Sequence, residues 1–402
     1  MNSHKKPLLI IFISALIIRI LFVLLMPQEA PDTKRYDDIA LSLLSRGDFS
    51  TAQGDPAISD GPIYPLFLAA IFSIFGHSLT AVRLIQAIID SFTCLIIYLI
   101  ALQMNQRKSI AILASAMAAI YPELIASSAF VLTETLFTFL LSVSTLLLLR
   151  AKFKESKVLA VISGIFFGIT ILCRAVALLI PPFLFLSFLF FSNRKRNLSL
   201  ITILTIAMLL TIAPWTIRNF LVFDRFLPVS IGLGGNLWIG SYQPWQGDYN
   251  YKDLSDKKEI EAGLSPIEAD QRLKEEALKN IKENPLGYLR LFPRKFARFW
   301  FKIPGGKEVL KGKTLSKDFL YTIHFLLLFF FALGLWFSLR KRTFAILTPL
   351  LIILYFTLIH VILFAIPRYR IPITPFILIF SAMGLYRAIN LIFSPRLLSP
   401  HQ

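Results

Sequence analysis

The sequence predicts an all-α polytopic membrane protein, with about ten transmembrane helices and further helices lying along the outer surface. Three observations predict it. The 402-residue chain is 56% hydrophobic and only 16% charged, whereas globular chains carry about a quarter charged residues. Several apolar runs reach the roughly 20 residues that a helix needs to cross a bilayer. The short basic connections between these runs all fall on one side when the crossings are counted.

Taken in order, the spans fall near 8–26, 82–102, 109–122, 129–149, 158–173, 175–192, 198–214, 319–338, 344–366 and 371–391. The first is a retained span rather than a cleaved leader, because no small-residue cleavage site follows it. The connections "HKK", "QRK", "RAKFKESK", "NRKRN" and "RKR" become cytoplasmic together once residues 1–7 are placed there. Both termini are then cytoplasmic. The stretch "PIYPLFLAAIFSIFG" (62–76) spans only about 22 Å as a helix. Letting it cross would move four basic connections outside, so it is read as a helix in the outer interface.

Two substantial regions remain on the outer side, residues 27–81 and 215–318. The chain therefore divides into an N-terminal transmembrane region (1–214) that includes the first outer loop, an outer loop region (215–318) and C-terminal spans (319–402). Within the second region, "SPIEADQRLKEEALKNIKE" carries a capping box with Ser265 as N-cap, Pro266 at N1 and Glu268 at N3. The following "NPLGYLRLFPRKFARFW" mixes Arg and Lys with large apolar residues, as an interfacial helix does.

The net charge of +18 sits mainly in short connections beside lipid, where it sets orientation and meets anionic headgroups. It does not imply a nucleic-acid partner. Cys94 and Cys173 lie in apolar segments and give neither a disulfide framework nor metal-ligand spacing. The histidines likewise show no ligand spacing.

The same parity brings costly polar residues to one membrane face. Asp32, Lys34, Arg35, Tyr36, Asp37 and Asp38 follow the first span, and Pro31 makes Asp32 a turn residue. Glu134 lies near the outer end of the fourth span and Arg174 at the outer turn after the fifth. Arg218 and Asn219 follow the seventh, while Arg368 and Arg370 occupy a very short outer loop, "PRYRIP". In an extended loop, the two arginines would point to one side with Tyr369 opposite. A charge within a transmembrane helix costs about 2.5–3.5 kcal/mol on insertion scales, which marks such residues as functional candidates. The bland alternatives are helix N-terminal acids at Asp37 and Asp38, snorkelling arginines and, for Asp90 inside the second span, a buried structural bond.

Carboxylates can take a proton from an attacking hydroxyl or amine. Clustered arginines bind phosphate and stabilise a departing one. No Walker motif or GxGxxG is present, so a phosphate site at the membrane points to a lipid-linked phosphate. Membrane lipids are the remaining partner. The segments "PDTKRYDDIALSLLSRGDFS", "GPIYPLFLAAIF", "FVLTETLFTFLL", "LCRAVALLIPP", "PWTIRNFLVFDRFLPVS" and "RYRIPITP", in this order, resemble the bacterial glycosyltransferase family 39 group. That group includes protein O-mannosyltransferases and the lipid A aminoarabinose transferase. The resemblance implies the GT-C fold and inverting transfer of a sugar from a polyprenyl-phosphate donor to a lipid, glycan or protein acceptor. The site would lie at the periplasmic face of the inner membrane. It maps the catalytic base onto Asp32 and the lipid-phosphate groups onto Arg218, Arg368 and Arg370. Lys34 and Arg35 are candidates for holding phosphate or acceptor nearby. It fixes no cofactor and leaves a divalent cation open. Thr33 stands where relatives often continue an acidic pair, and Gly61 where many carry Arg. The rival readings are a lipid-linked oligosaccharide flippase, with polar groups along a mid-bilayer path, and an O-antigen polymerase or ligase.

Overall fold

The structure, a computed structural model, describes residues 5–26, 30–189, 194–249, 254–303, 316–341 and 343–393. Of the ends expected in the cytoplasm, residues 1–4 and 394–402 lie outside the described residues. Among those described, the chain is helical and no strand occurs beyond an isolated bridge between Ser50 and Pro56. The helices are α1 (Lys5–Leu25), α2 (Thr33–Ser45), α3 (Ile63–Phe75), α4 (Leu79–Asn105), α5 (Lys108–Ile120), α6 (Pro122–Ala129), α7 (Thr133–Lys154) and α8 (Lys157–Cys173). Then come α9 (Ile180–Leu189), α10 (Arg194–Phe223), α11 (Leu233–Ser241), α12 (Ser255–Glu261), α13 (Pro266–Glu283), α14 (Pro285–Phe301), α15 (Lys317–Leu339), α16 (Phe344–Ile362) and α17 (Thr374–Phe393). Tight 3-10 turns at Ala175–Leu179 and Pro367–Ile373 precede α9 and α17.

A helix falls on each expected span, over most of its described residues. Seven helices are long and apolar enough to cross a membrane, or eight if α5 and α6, bent by 49° at Tyr121, count as one span. α8 has 17 residues and α9 has 10, so these two fall short in length. Pro181 and Pro182 occupy the first turn of α9, where a missing N–H costs nothing. α3 has 13 residues, as an interfacial helix would.

The charge expected to be buried in the second span finds its partner in the first. Arg19 on α1, fully buried, donates through Nε to Asp90 on α4 at 2.6 Å. Its other nitrogens donate to the carbonyls of Ala118 and Ala119 at the bent end of α5. With no water at that depth, a guanidinium persists only where carboxylate and carbonyl acceptors surround it.

The basic turns gather at one end. Arg196 meets Glu155 at 2.5 Å, and Lys152 bonds Asn197 and lies over the Phe344 ring. α16 starts there and ends at Ile362, whose carbonyl accepts from Tyr288 and Lys295 of α14. α14 and its neighbours therefore cap the opposite end. Trp238, Ile239, Trp245, Leu273 and Phe364 form a separate small core there. The capping box of α13 is present: Ser265 Oγ accepts from Glu268 N–H and the Glu268 carboxylate from Ser265 N–H. α14 buries Tyr288, Leu291, Lys295 and Phe299, and exposes Leu286, Leu289 and Phe296 beside Arg290 and Arg294.

α10 runs to Phe223 instead of ending near residue 214, so Arg218 and Asn219 lie inside the helix. Pro214 is accommodated because the next turns are tied to the segment that folds back on them. Trp215 Nε1 and Asn219 Nδ2 donate to Val229 O at 2.8 and 3.0 Å, and Thr216 Oγ1 donates to Pro228 O at 3.0 Å.

Candidate functional site

At the capped end, a cavity of about 1040 Å³ is walled by the start of α2, residues 59–61, α6, the two 3-10 turns and α11–α13. It gathers Asp32, Arg35, Tyr36, Glu134, Arg174 and Arg368, six of the residues singled out from the sequence.

Asp32 is the N-cap residue of α2, yet its side chain makes no capping bond. Thr33 Oγ1 ties this turn to Val131 O at 3.2 Å, leaving the carboxylate free to face the cavity. It receives Arg368 Nη2 at 2.6 Å, from 336 positions away. Arg174 donates to Glu134 Oε1 at 3.0 Å, and Arg368 Nε lies 3.7 Å from the same oxygen. Glu134, only 5% exposed, thus stands between two guanidinium groups. Arg174 also packs over the rings of Phe137 and Tyr369.

Burial pulls the Asp32 pKa upward, but Arg368, aided by Arg35 and Arg174, outweighs it and holds the carboxyl below its ordinary value. Arg35 Nη2 donates to Asp60 Oδ1 at 3.0 Å, and its Nε lies 2.5 Å from Oδ2 as an ion pair. Burial lowers the Arg35 pKa and Asp60 more than restores it. Tyr36, its ring edge-on to Tyr64 at 5.0 Å, is pushed up by burial and stays a neutral hydroxyl.

Five candidates are placed elsewhere. Lys34 is exposed and does not line the cavity. Asp37 bonds His77 at 2.8 Å and does not line the cavity. Arg218 packs among Phe49, Trp215 and Phe223 and donates to the carbonyls of Phe49 and Ala57. It fastens the segment between α2 and α3 to α10. Asn219 is buried, bonding Leu227 O and Val229 O. Arg370 departs most from expectation. Its loop is a 3-10 turn rather than extended, and the residue is 1% exposed. It donates to Glu123 at 2.6 Å and to the carbonyls of Phe299, Trp300 and Lys302. A guanidinium satisfied on every side holds structure together and presents nothing to a phosphate.

The cavity also takes in groups the sequence did not single out: Asp60, Glu123, Asn236, Asp248, Lys257, Asp270, Arg298 and His324. Asp60 stands directly before the quoted "GPIYPLFLAAIF", so its placement next to a proline-led helix was a usable signal. Gly61 has a packing reason. A Cβ there would sit 2.0 Å from Leu172 O, so an Arg at this position would need the α8 terminus to retreat. Among the described residues, no group of three or more His, Cys, Asp and Glu side chains is arranged to hold a metal ion.

Residues 59–217 match the family described as dolichyl-phosphate-mannose-protein mannosyltransferase. No curated protein matches the chain. Among solved structures, the oligosaccharyltransferase AglB from Archaeoglobus fulgidus, in complex with an inhibitory peptide and a dolichol-phosphate, superposes with a TM-score of 0.62 at 16% identity. The match covers 98% of this chain and 53% of that one. The apo oligosaccharyltransferase of the same organism gives 0.62 at 16% identity, covering 99% and 52%. ArnT from Cupriavidus metallidurans in the apo state gives 0.47 at 13% identity, covering 100% and 82%. The chain spans about half the length of the archaeal enzymes. It is a multi-pass membrane protein of the GT-C glycosyltransferase fold, and it resembles the family 39 type of membrane glycosyltransferase.

Proposed function

We propose that the protein is an inverting membrane glycosyltransferase that moves a sugar from a polyprenyl-phosphate donor to a lipid, glycan or protein acceptor. The basic turns face the cytoplasm and the cavity opens on the periplasmic side of the inner membrane. The observation that carries this reading is the meeting of Asp32 and Arg368 at 2.6 Å in one cavity at the membrane end of a GT-C fold.

The chemistry then follows from the placement. Asp32 accepts the proton of the acceptor hydroxyl or amine as that atom attacks the anomeric carbon. The bond from that carbon to the lipid phosphate oxygen breaks, and the phosphate leaves with the electron pair. Arg368 and Arg174 offset the developing charge, which is worth most in a water-poor site. The wall that carries Asn236, Asp248, Lys257 and Asp270 is where the acceptor would lie.

The test uses purified protein in nanodiscs with a panel of synthetic undecaprenyl-phosphate sugars, beside mass spectrometry of lipid-linked sugars and surface glycans in a strain lacking the protein. One donor sugar should disappear from the envelope glycans and its lipid-linked form should accumulate. Unchanged lipid-linked sugars and glycans, with no turnover of any donor, would sink the proposal.

A further inference from the structure

The proposed base is covered by the residue proposed to bind the donor. Arg368 Nη2 donates to Asp32 Oδ2 at 2.6 Å. The same N–H cannot also serve a phosphate. On the other edge of the guanidinium, the buried Nε makes no hydrogen bond, although Glu134 Oε1 stands 3.7 Å away. Arg368 therefore faces two carboxylates and satisfies one. Glu134 is fixed by Arg174 at 3.0 Å and is 5% exposed, so it does not follow the arginine. Asp32 and Arg368 keep 29% and 30% of their side chains exposed to the cavity, which leaves room for a short swing.

We propose that Arg368 exchanges partners when the donor binds: the lipid phosphate draws it off Asp32, Glu134 keeps it within reach, and the base is uncovered only once the donor is seated. This rests on the glycosyltransferase reading and adds an order to it, donor before acceptor. No other described cation takes over at Asp32. Arg35 faces it but is held by its ion pair and hydrogen bond with Asp60, and Arg174 faces it but is held by Glu134. Donor binding thereby raises the basicity of Asp32 at the moment a proton must be taken. Without a donor the carboxylate stays paired, which protects against idle reaction.

Two pictures separate cleanly. If Arg368 must leave Asp32, the carboxylate competes with the phosphate. If Arg368 instead bridges both, it screens the repulsion between them. The experiment is a double-mutant cycle on the affinity for undecaprenyl phosphate, which carries no sugar and cannot turn over. It uses the full chain in nanodiscs with Asp32→Asn, Arg368→Gln and both together; Arg368→Lys is a second, milder variant.

Exchange predicts that Asp32→Asn tightens binding by about 10- to 100-fold, the range of a charge-assisted hydrogen bond no longer broken. Its effect should shrink in the Arg368→Gln background. An equal or larger gain in that background, or no gain with Arg368 present, overturns the exchange and leaves the lipid-phosphate reading standing. No saturable binding of undecaprenyl phosphate by the unaltered chain overturns both.

Discussion

Arg370 and Glu123 form a buried ion pair at 2.6 Å across 247 positions of sequence. It joins the turn before α17 to the bent α5–α6 segment, beside His324 on α15, which accepts from or donates to Tyr121 at 3.2 Å. Three backbone carbonyls around residues 299–302 complete the arginine's shell. The pair therefore lies behind the cavity wall, which Glu123 lines, while the neighbouring Arg368 faces the cavity.

Arg370→Ala should accordingly fail by misfolding. It strands the Glu123 carboxylate and three carbonyls away from water, and breaking one side of a buried pair costs about 3–5 kcal/mol. The unfolding midpoint in nanodiscs should drop sharply, and the protein that remains folded should bind undecaprenyl phosphate within about threefold of the parent. Arg370→Ala protein of normal stability with weakened lipid binding would return this residue to the phosphate site.

Arg218→Ala should loosen a loop. The guanidinium holds Phe49 O and Ala57 O at 3.1 and 3.2 Å between three aromatic rings, so its loss removes hydrogen bonds to a charged donor worth about 1.5–3 kcal/mol each. Amide exchange should accelerate over residues 48–58 while the α7 and α16 amides stay protected. Lys should rescue little, because a point charge cannot fork to two carbonyls. Unaltered exchange in the loop would show that the cage is incidental.

What the sequence made legible follows physical cost. Ten apolar runs could be found because burial in lipid demands length and composition, and a helix falls within each. Asp32, Glu134, Arg174 and Arg368 could be found because a charge near lipid needs a reason. What sequence could not supply was the direction of each side chain. Arg368 and Arg370 are two positions apart in one loop, yet the first faces the cavity and the second the core, because Glu123 sits behind the second. Asp90 was legible as a buried structural bond, but its partner Arg19 lies 71 positions away. Pairings of that range are set by helix packing. The same holds for Gly61, whose reason is a carbonyl on α8.

Orientation is tested by labelling. Cys94 and Cys173 are both buried, so the native background is low. A cysteine at exposed Lys258 should react with an impermeant thiol reagent in intact spheroplasts, whereas one at exposed Lys157 should react only after permeabilisation. The reverse pattern would place the cavity in the cytoplasm and end the periplasmic donor proposal.

The base is tested by pH. Burial alone would raise the Asp32 pKa, and Arg368 is the main group that brings it below its ordinary value, about 3.9 in model peptides. The folded carboxyl is thus depressed. Its pairing contributes stability above the unfolded value, lost as pH falls through the folded one. The acid limb of kcat/KM, which reports the free enzyme, should therefore lie below the ordinary carboxylate range. Arg368→Gln removes the principal depressing charge and leaves burial, so the limb should move to higher pH. If Arg368 departs on donor binding, the kcat limb of the unaltered chain should already lie above its kcat/KM limb. Asp32→Asn should lower turnover by about 10²–10⁴-fold, the usual worth of a positioned base, and erase the limb. Turnover profiles carried on the acid side to below the ordinary carboxylate value of about 3.9 decide it: an acid limb that persists in Asp32→Asn, or stays put in Arg368→Gln, assigns the base to another residue.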